Sequence, residues 1–416
     1  MSMSFCIEKK LNWLYIDVNS YFTTIEQQLN PDLRHRPVAV VPILSDSTCA
    51  IAASHEAKLR GIKTGTKIYQ AKKLCPDLIC IKARHKVYIE YHHKIFREID
   101  LYLHVDHIFS IDEGACKLTG KYCNERDAIS IGRIIKKAIR DNVGEYISCS
   151  IGIAPNRYLA KIASNIKKPD GLFVIAPSEL PDKLYSLNLK SLPGVGVKTR
   201  DRLIQNGISS VEQLCHLDRS KIKALWGNIW GEKVWYLIRG ADLPLEETKK
   251  ATIGHSKVLG PDLQSAEEAR SVLINLTLKA ASRLRSKDLY TTNILLNIDL
   301  KSGKSIKEST KVELSDDSSL ILKYALKSWD KIIKNLKPEK IKIKKIAISF
   351  HNLQKESNQL TFRDYNEQRK RQRISRVIDY INKKLGKDSV SIGIAPKTNK
   401  TQDIIAFGHI PKTGDS

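Results

Sequence analysis

Residues 105–118 read VDHIFSIDEGACKL. Two short apolar runs, 105–111 and 114–118, flank the acidic pair Asp112-Glu113, a pattern that predicts an antiparallel hairpin with both acids between its strands. Upstream, residues 11–18 (LNWLYIDV) form an apolar run ending near Asp17, the signature of a buried strand. Tyr21, Phe22, Ile25 and Leu29 then recur at helical spacing. Residues 83–103 repeat Tyr88, Tyr91, Ile95 and Ile99 on one side and predict a longer helix. Downstream, Asn124 is a suitable N-cap for a helix whose apolar residues are Ala128, Ile131, Ile134, Ile135 and Ala138. A strand over 146–153 and a helix over 156–167 follow, stopped by Lys168-Pro169-Asp170-Gly171. Strands and helices alternating around a hairpin predict an α+β fold built on a split βαβ sheet.

Between these elements, Pro31 and Pro37 punctuate a loop, 48–54 (TCAIAAS) reads as a buried strand, and Glu56–Arg60 opens a short helix. Residues 176–242 change to short helices separated by Gly and Pro, and 241–253 (ADLPLEETKKATI) reads as a polar linker. A second α+β pattern follows: a strand, a helix over 265–286, strands over 291–300 and 305–313, a helix over 318–335 and a strand over 341–350. From about 355 a tail carries the basic helical segment QRKRQRISRVIDYINKKLG.

With 416 residues and 42% hydrophobic content the chain has room for two to four domains with real cores. No apolar run approaches 18 residues, so no membrane partner is expected, and the first residues lack a signal-peptide pattern. The eight cysteines include no C-x-x-C pair and none lies beyond 215, which argues against a disulfide framework or a zinc site and for a reducing, cytoplasmic setting. Net charge is +25, and residues 247–416 hold 34 Lys and Arg against 19 Asp and Glu. Nucleic acid is the polyanion such a surface suits. A solvated, lysine-rich surface would give the same balance.

Asp17 ends a buried strand, where an unpartnered carboxylate is costly. A cation or a helix-capping role would each explain it. Asp112 and Glu113 also fit an ordinary acidic turn. If the two strands are neighbours, three carboxylates converge into a hard-oxygen site suited to Mg²⁺.

Residues 14–26 (LYIDVNSYFTTIE) resemble the first motif of the Y-family DNA polymerases. Residues 110–113 (SIDE) match the second motif, 150–171 (SIGIAPNRYLAKIASNIKKPDG) the third, and 54–61 (SHEAKLRG) looks like the fingers segment. The D-V-N and E-A-K forms look most like the UmuC-type branch, with the polymerase IV branch beside it. The resemblance implies a bacterial, template-directed DNA polymerase of low fidelity that bypasses lesions without proofreading. It implies two Mg²⁺ ions, replaceable by Mn²⁺, on Asp17, Asp112, Glu113 and the Val18 carbonyl. Phe22 would be the steric gate against a ribose 2′-OH, with Tyr21 beside it under the incoming sugar. Lys161 would contact the dNTP triphosphate, as would His55 and Lys58, which stand where many members have Tyr and Arg. Asn19 replaces a frequent Asp.

Residues 189–207 (LKSLPGVGVKTRDRLIQNG) resemble a helix–hairpin–helix, in which Gly194 and Gly196 permit a tight turn whose N–H groups meet a DNA phosphate, with Lys198 close behind. Lys340, Lys342 and Lys344 alternate with isoleucines, so one strand face can pack while the other meets phosphates. Gln359, Leu360 and Phe362 lie where family members carry a sliding-clamp peptide. The implied right-hand architecture has a palm (1–22 and 81–175), fingers (23–80), a helical thumb (176–242), a linker (243–253), an α+β little finger (254–354) and a basic tail (355–416). Its partners would be primer–template DNA, dNTP, a sliding clamp and accessory mutagenesis subunits. Two other functions fit clustered carboxylates on a basic chain: a DNA-binding accessory subunit and a metal-dependent nuclease.

Overall fold

A computed structural model describes residues 7, 9–245, 251–336, 341–355, 365–386 and 389–390. The chain divides into two compact units, one up to Leu245 and one from Glu246.

The first unit opens with β1 (Trp13–Val18), all six residues buried, and α1 (Tyr21–Leu29). A small subdomain follows: β2 (Val38–Val41), β3 (Ala52–Ala53), α2 (His55–Leu59), α3 (Ile68–Leu74) and β4 (Ile79–Lys82). Its three strands run in the order β3-β2-β4 over a core of its own, including Ala39, Val41, Ile62 and Ile68. The chain then forms α4 (His85–Asp100), β5 (His107–Ile108), β6 (Glu113–Lys117), α5 (Glu125–Ala138), β7 (Cys149–Ala154), α6 (Arg157–Ile166) and β8 (Leu172–Val174).

These strands build one sheet in the order β5-β6-β1-β7-β8, with β1 antiparallel to both neighbours and β7 parallel to β8 across α6. Period-two alternation assigns the faces of β1. Leu14, Ile16 and Val18 enter a core with Tyr88, Ile95, Ile99, Ile131 and Ile135 of α4 and α5. Trp13 and Tyr15 enter the opposite core with Leu159, Ile162 and Ala163 of α6. Gly152 lets α6 lie directly on the sheet, because a Cβ there would stand 2.0 Å from the Ala160 carbonyl oxygen. Asn124 caps α5 as expected, accepting from the Asp127 N–H at 2.9 Å.

Two expectations change. The segment 48–54 is not one strand: Ala50 donates to Thr66, Ile51 donates to Val40, and only Ala52–Ala53 pairs with β2. The chain crosses between two partners there, so its apolar composition reflects burial rather than a ladder. The expected palm–fingers break after residue 22 falls inside α1, whose Tyr21, Phe22 and Ile25 belong to the large sheet's core.

Helices α7 (Val197–Gln205), α8 (Val211–Cys215), α9 (Arg219–Trp226) and α10 (Ile229–Leu237) complete the unit. They join the α6 core through Leu203, Leu214, Ile222 and Val234. The Asn156 amide ties them on, donating at 2.9 Å to the carbonyls of Leu237 and Ala241.

The second unit contains β9 (Ile253–Val258), α11 (Ala266–Arg285), β10 (Leu289–Leu300), β11 (Ser305–Ser315), α12 (Ser318–Lys334), β12 (Ile343–His351), β13 (Gln354–Lys355) and α13 (Tyr365–Leu385). Its sheet runs β11-β10-β12-β9, entirely antiparallel along that path, with α11 and α12 over the apolar face. The lysine alternation is corrected here. Strand β12 begins at Ile343, and a register irregularity sets Leu300 opposite Ile343 but Asp299 opposite Lys345. Lys345, not Lys344, therefore shares the polar sheet face with Ser349 and His351. Lys342 is exposed ahead of the strand. Lys340 and the clamp-type residues Gln359, Leu360 and Phe362 lie outside the described residues.

Helix α13 is part of this unit. Arg285, on α11, donates to both carboxylate oxygens of Asp379 at 2.6 and 3.0 Å and to the Asp316 carbonyl at 2.7 Å.

Candidate active site

Sheet register brings the three carboxylates to one edge. Asp17 stands opposite Glu113, and the Val18 N–H donates to the Asp112 carbonyl at 2.9 Å. The hairpin tip thus lies against the end of β1, the juxtaposition that sequence spacing could not prove. Each carboxylate has a partner. Lys168 Nζ is 2.5 Å from Asp17 Oδ2, Lys161 Nζ is 2.7 Å from Glu113 Oε2, and Ser110 Oγ donates to Asp112 Oδ1 at 2.5 Å.

The electrostatics follow from crowding acids in a dry place. Burial pushes the Asp17 carboxyl up to about 6, against the Lys168 ammonium and with help from Glu113 and Asp112. Burial raises Asp112 too, although the Ser110 hydroxyl opposes it. For Glu113 burial acts upward, but Lys161 and the Tyr15 hydroxyl outweigh it and the net shift is downward.

Among the described residues no three His, Cys, Asp or Glu side chains are gathered closely enough to hold an ion as they stand. The donor chemistry nevertheless fits a divalent cation. The groups are hard carboxylates, they are desolvated, and they repel one another. In this structure Lys168 neutralises Asp17, and Lys161 meets Glu113 through Oε2.

Lys168 is the functional candidate that sequence reading missed; it is one lysine in a Lys-Lys-Pro run at the end of the third motif. Asn19 holds its loop. The Asn19 side-chain Oδ1 accepts from the Asp170 N–H at 2.8 Å and from Ser148 Oγ at 3.2 Å, while Nδ2 donates to Ser150 Oγ at 2.9 Å. The residue that replaces a frequent Asp is thus an amide that donates and accepts at once.

Helix α2 faces the same edge. Lys58 donates to Ser20 Oγ at 2.7 Å. Its ammonium pKa is lowered by burial and then by Lys168, with Asp17 and Asp112 opposing. Two lysines from different subdomains thus bring positive charge to this site, Lys58 at Ser20 and Lys168 at Asp17. His55 is exposed at the start of α2. Lys161 is engaged with Glu113 rather than held free for a phosphate.

Phe22 is 9% exposed, its ring 4.7 Å from Tyr88. Tyr88 in turn donates to Glu26 at 2.7 Å, and Arg84 binds the same carboxylate from outside. Tyr21, expected under the incoming sugar, is 2% exposed and donates to the Tyr88 carbonyl at 2.6 Å, so here its ring packs in the core.

In the helix–hairpin–helix segment, Gly194 sits at φ +85°, and a Cβ there would meet Trp230 Nε1 at 2.9 Å. Gly196 is different, with an ordinary φ of −79° and no atom within 4 Å of an added Cβ. It precedes α7, whose N-terminus has no side-chain cap. Lys198 is exposed beside it, whereas Arg200 pairs with Asp201 and Arg202 donates to the Trp226 carbonyl.

Comparison with known proteins bears on the family and the fold. Residues 16–165 match the impB/mucB/samB family, 190–242 the thumb domain of DNA polymerase iota, and 250–362 the C-terminal domain of the impB/mucB/samB family. The chain is 28% identical over 401 residues to DNA polymerase IV 1 of Bacillus subtilis, covering 93% of this chain and 94% of that one. It is 34% identical over 281 residues to DNA polymerase IV of Moorella thermoacetica, covering 65% and 69% respectively. Among solved structures, a chimera of the Y-family DNA polymerases Dbh and Dpo4 superposes with a TM-score of 0.70 at 22% identity, covering 83% of this chain and all of that one. The insertion ternary complex of Dbh DNA polymerase has a TM-score of 0.55 at 23% identity over the same shares. The chain belongs to the Y family of DNA polymerases, the translesion class. These relatives carry the polymerase IV name, one of the two branches its motifs resemble. The family works with divalent metal ions.

Proposed function

We propose that this chain extends a primer 3′-OH on a DNA template with dNTPs and continues across damaged bases without proofreading. The observation that carries this reading is the edge of the five-stranded sheet, where Asp17, Asp112 and Glu113 meet two lysines and the wedge formed by Phe22 and Tyr88. The palm is the five-stranded sheet, the fingers the small sheet with α2 and α3, the thumb α7–α10, and the little finger the second unit.

Asp17, Asp112, Glu113 and the Val18 carbonyl are the residues that would hold two Mg²⁺ ions, or Mn²⁺ in their place. Bound there, the ions would activate the 3′-OH and neutralise charge on the leaving pyrophosphate. Lys58 and Lys168 bring two positive charges to the carboxylates, an arrangement that suits a triphosphate, and His55 lies one helical turn from Lys58. Lys161 then serves Glu113 before it serves the nucleotide.

DNA would be held by its backbone. In the thumb, Gly196 leaves open space at the uncapped start of α7, with Lys198 adjacent. In the little finger, Lys307, Lys311 and Lys345 share the polar sheet face with Asn293 and Asn297, and exposed Lys342 and Lys344 lie at its margin. Such contacts position without reading sequence. Affinity for a primer–template should therefore change little with sequence. It should fall by about a thousandfold between about 50 and 200 mM salt if about six phosphates are neutralised. A flat salt titration in fluorescence anisotropy would remove the backbone-tracking model.

The two hairpin glycines should separate in the same assay. Gly196→Val fills only open space, so it should weaken DNA binding with an unchanged thermal midpoint. Gly194→Val forces a β-branched residue to positive φ against Trp230 and should lower the midpoint as well. Equal loss of stability in both variants would count against a phosphate site at Gly196.

The cytoplasm, where bacterial DNA is, is the proposed place of action, with a sliding clamp and accessory mutagenesis subunits as further proposed partners. Primer extension on undamaged and abasic templates, with protein alone and with clamp, tests the whole reading. Wild-type protein that adds no nucleotide under any of these conditions would overturn it.

A further inference from the structure

Glu113 projects from the start of β6 on a side chain with three rotatable bonds, and Tyr15 and Lys161 fix one of its oxygens. The Tyr15 hydroxyl donates to Glu113 Oε2 at 2.9 Å, and Lys161 Nζ donates to the same oxygen at 2.7 Å. Lys161 Nζ is also 3.4 Å from the Tyr15 hydroxyl and lies over the Tyr15 ring, 5.5 Å from its centroid. The three groups form a closed triangle. Tyr15 has no freedom of its own: it is 2% exposed, two residues before Asp17 on the same face of β1, with Phe109 stacked on it at 5.6 Å and 16°. Both donors go to Oε2, and Oε1 keeps no hydrogen bond among the described residues.

We infer that Tyr15, together with Lys161, is a positioning residue for the metal site, a clamp that holds Glu113 by Oε2 and leaves Oε1 for the cation. The inference rests on the assignment of Glu113 as a metal ligand. A ligating carboxylate needs its second oxygen held, because the outer hydrogen bond sets both its direction and its basicity, and losing such a partner typically lowers metal affinity about 10–100-fold. A tyrosine hydroxyl suits the task better than water here, since its ring is locked between the sheet and Phe109 and brings the donor to one place.

The test is direct Mn²⁺ binding to the full chain, read as free Mn²⁺ by electron paramagnetic resonance, with no nucleotide turnover needed. Tyr15→Phe keeps the ring and its stacking and removes only the hydroxyl. It should raise the Mn²⁺ dissociation constant about tenfold, with the thermal midpoint and primer–template affinity unchanged. Lys161→Arg, which keeps the charge and a donor beside Glu113, should leave that constant little changed. Tyr15→Phe placed on Glu113→Ala should add nothing further. The matched control is Tyr158→Phe, which removes a buried hydroxyl that has no hydrogen-bond partner among the described residues and does not touch Glu113. Equal Mn²⁺ affinity in Tyr15→Phe and wild type would overturn the clamp while leaving the metal assignment standing. Wild-type binding that Glu113→Ala does not weaken would overturn both.

Discussion

Asp112→Ala and Glu113→Ala, singly or together, and Asp17→Ala are each expected to reduce nucleotide addition by at least about a thousandfold, roughly 4 kcal/mol of transition-state stabilisation. The reason lies in where charge develops. Attack on the α-phosphate gathers negative charge on oxygens that only a fixed cation can neutralise, and all three carboxylates converge on one sheet edge. Loss of one ligand misplaces the ion instead of merely weakening it, so the three effects should be similar and far from additive. DNA affinity should be unchanged or slightly tighter, because each substitution removes a negative charge from a cleft that receives phosphates. The fold should persist as well. Asp112 is a carboxylate whose pKa burial raises, and Ala leaves no charge to desolvate there. Single-turnover primer extension beside anisotropy measures both quantities. Near wild-type extension by the Asp112→Ala, Glu113→Ala double variant would mean that the ions bind elsewhere.

The residues whose roles were legible in sequence are those fixed by strand and helix periodicity. The strand ending near Asp17, the hairpin around Asp112-Glu113, the Asn124 cap and the strand–helix order of the second unit all follow from local pattern, and the structure reproduces them. What pattern could not supply is orientation between elements. Tyr21 and Phe22 are neighbours on one helix and both pack against Tyr88, 66 positions away from Phe22, and that packing leaves Phe22 the more exposed of the two. Lys161 and Lys168 were two of several lysines in one motif. Only the packing of α6 on β1 and β7 decides that Lys161 meets Glu113, and only the loop after α6, held by Asn19, decides that Lys168 meets Asp17. The lysines near 340 alternate in sequence, yet one irregularity in the ladder changes which of them shares a face. A period-two argument is blind to a bulge until the partner strand is known.

The same dependence on neighbours shapes what Phe22→Ala should do. The variant should accept ribonucleotides far more readily, with the dNTP to rNTP ratio of kcat/KM falling about 100-fold or more, near 3 kcal/mol of discrimination. Phe22 is the aromatic residue of α1 that is not wholly enclosed, and it cannot retreat, because its ring rests 4.7 Å from Tyr88. Tyr88 is itself held by Glu26, which Arg84 clasps. With Phe22 as the proposed gate, a 2′-OH would meet a wall with a fixed backing, and exclusion would be steric. Deoxynucleotide insertion should suffer much less, since dNTP asks for none of that volume. Tyr21→Ala is the control, with an outcome set by its burial: it should lower the thermal midpoint and reduce insertion of both sugars alike, because it leaves a core cavity and frees the Tyr88 carbonyl. Tyr88→Leu should lie between, since it keeps Phe22 but loosens its support, and should relax sugar choice by a smaller factor. Equal loss of both activities in Phe22→Ala would make Phe22 a packing residue with no part in sugar choice. Relaxed sugar choice in Tyr21→Ala alone would shift the gate by one residue along α1.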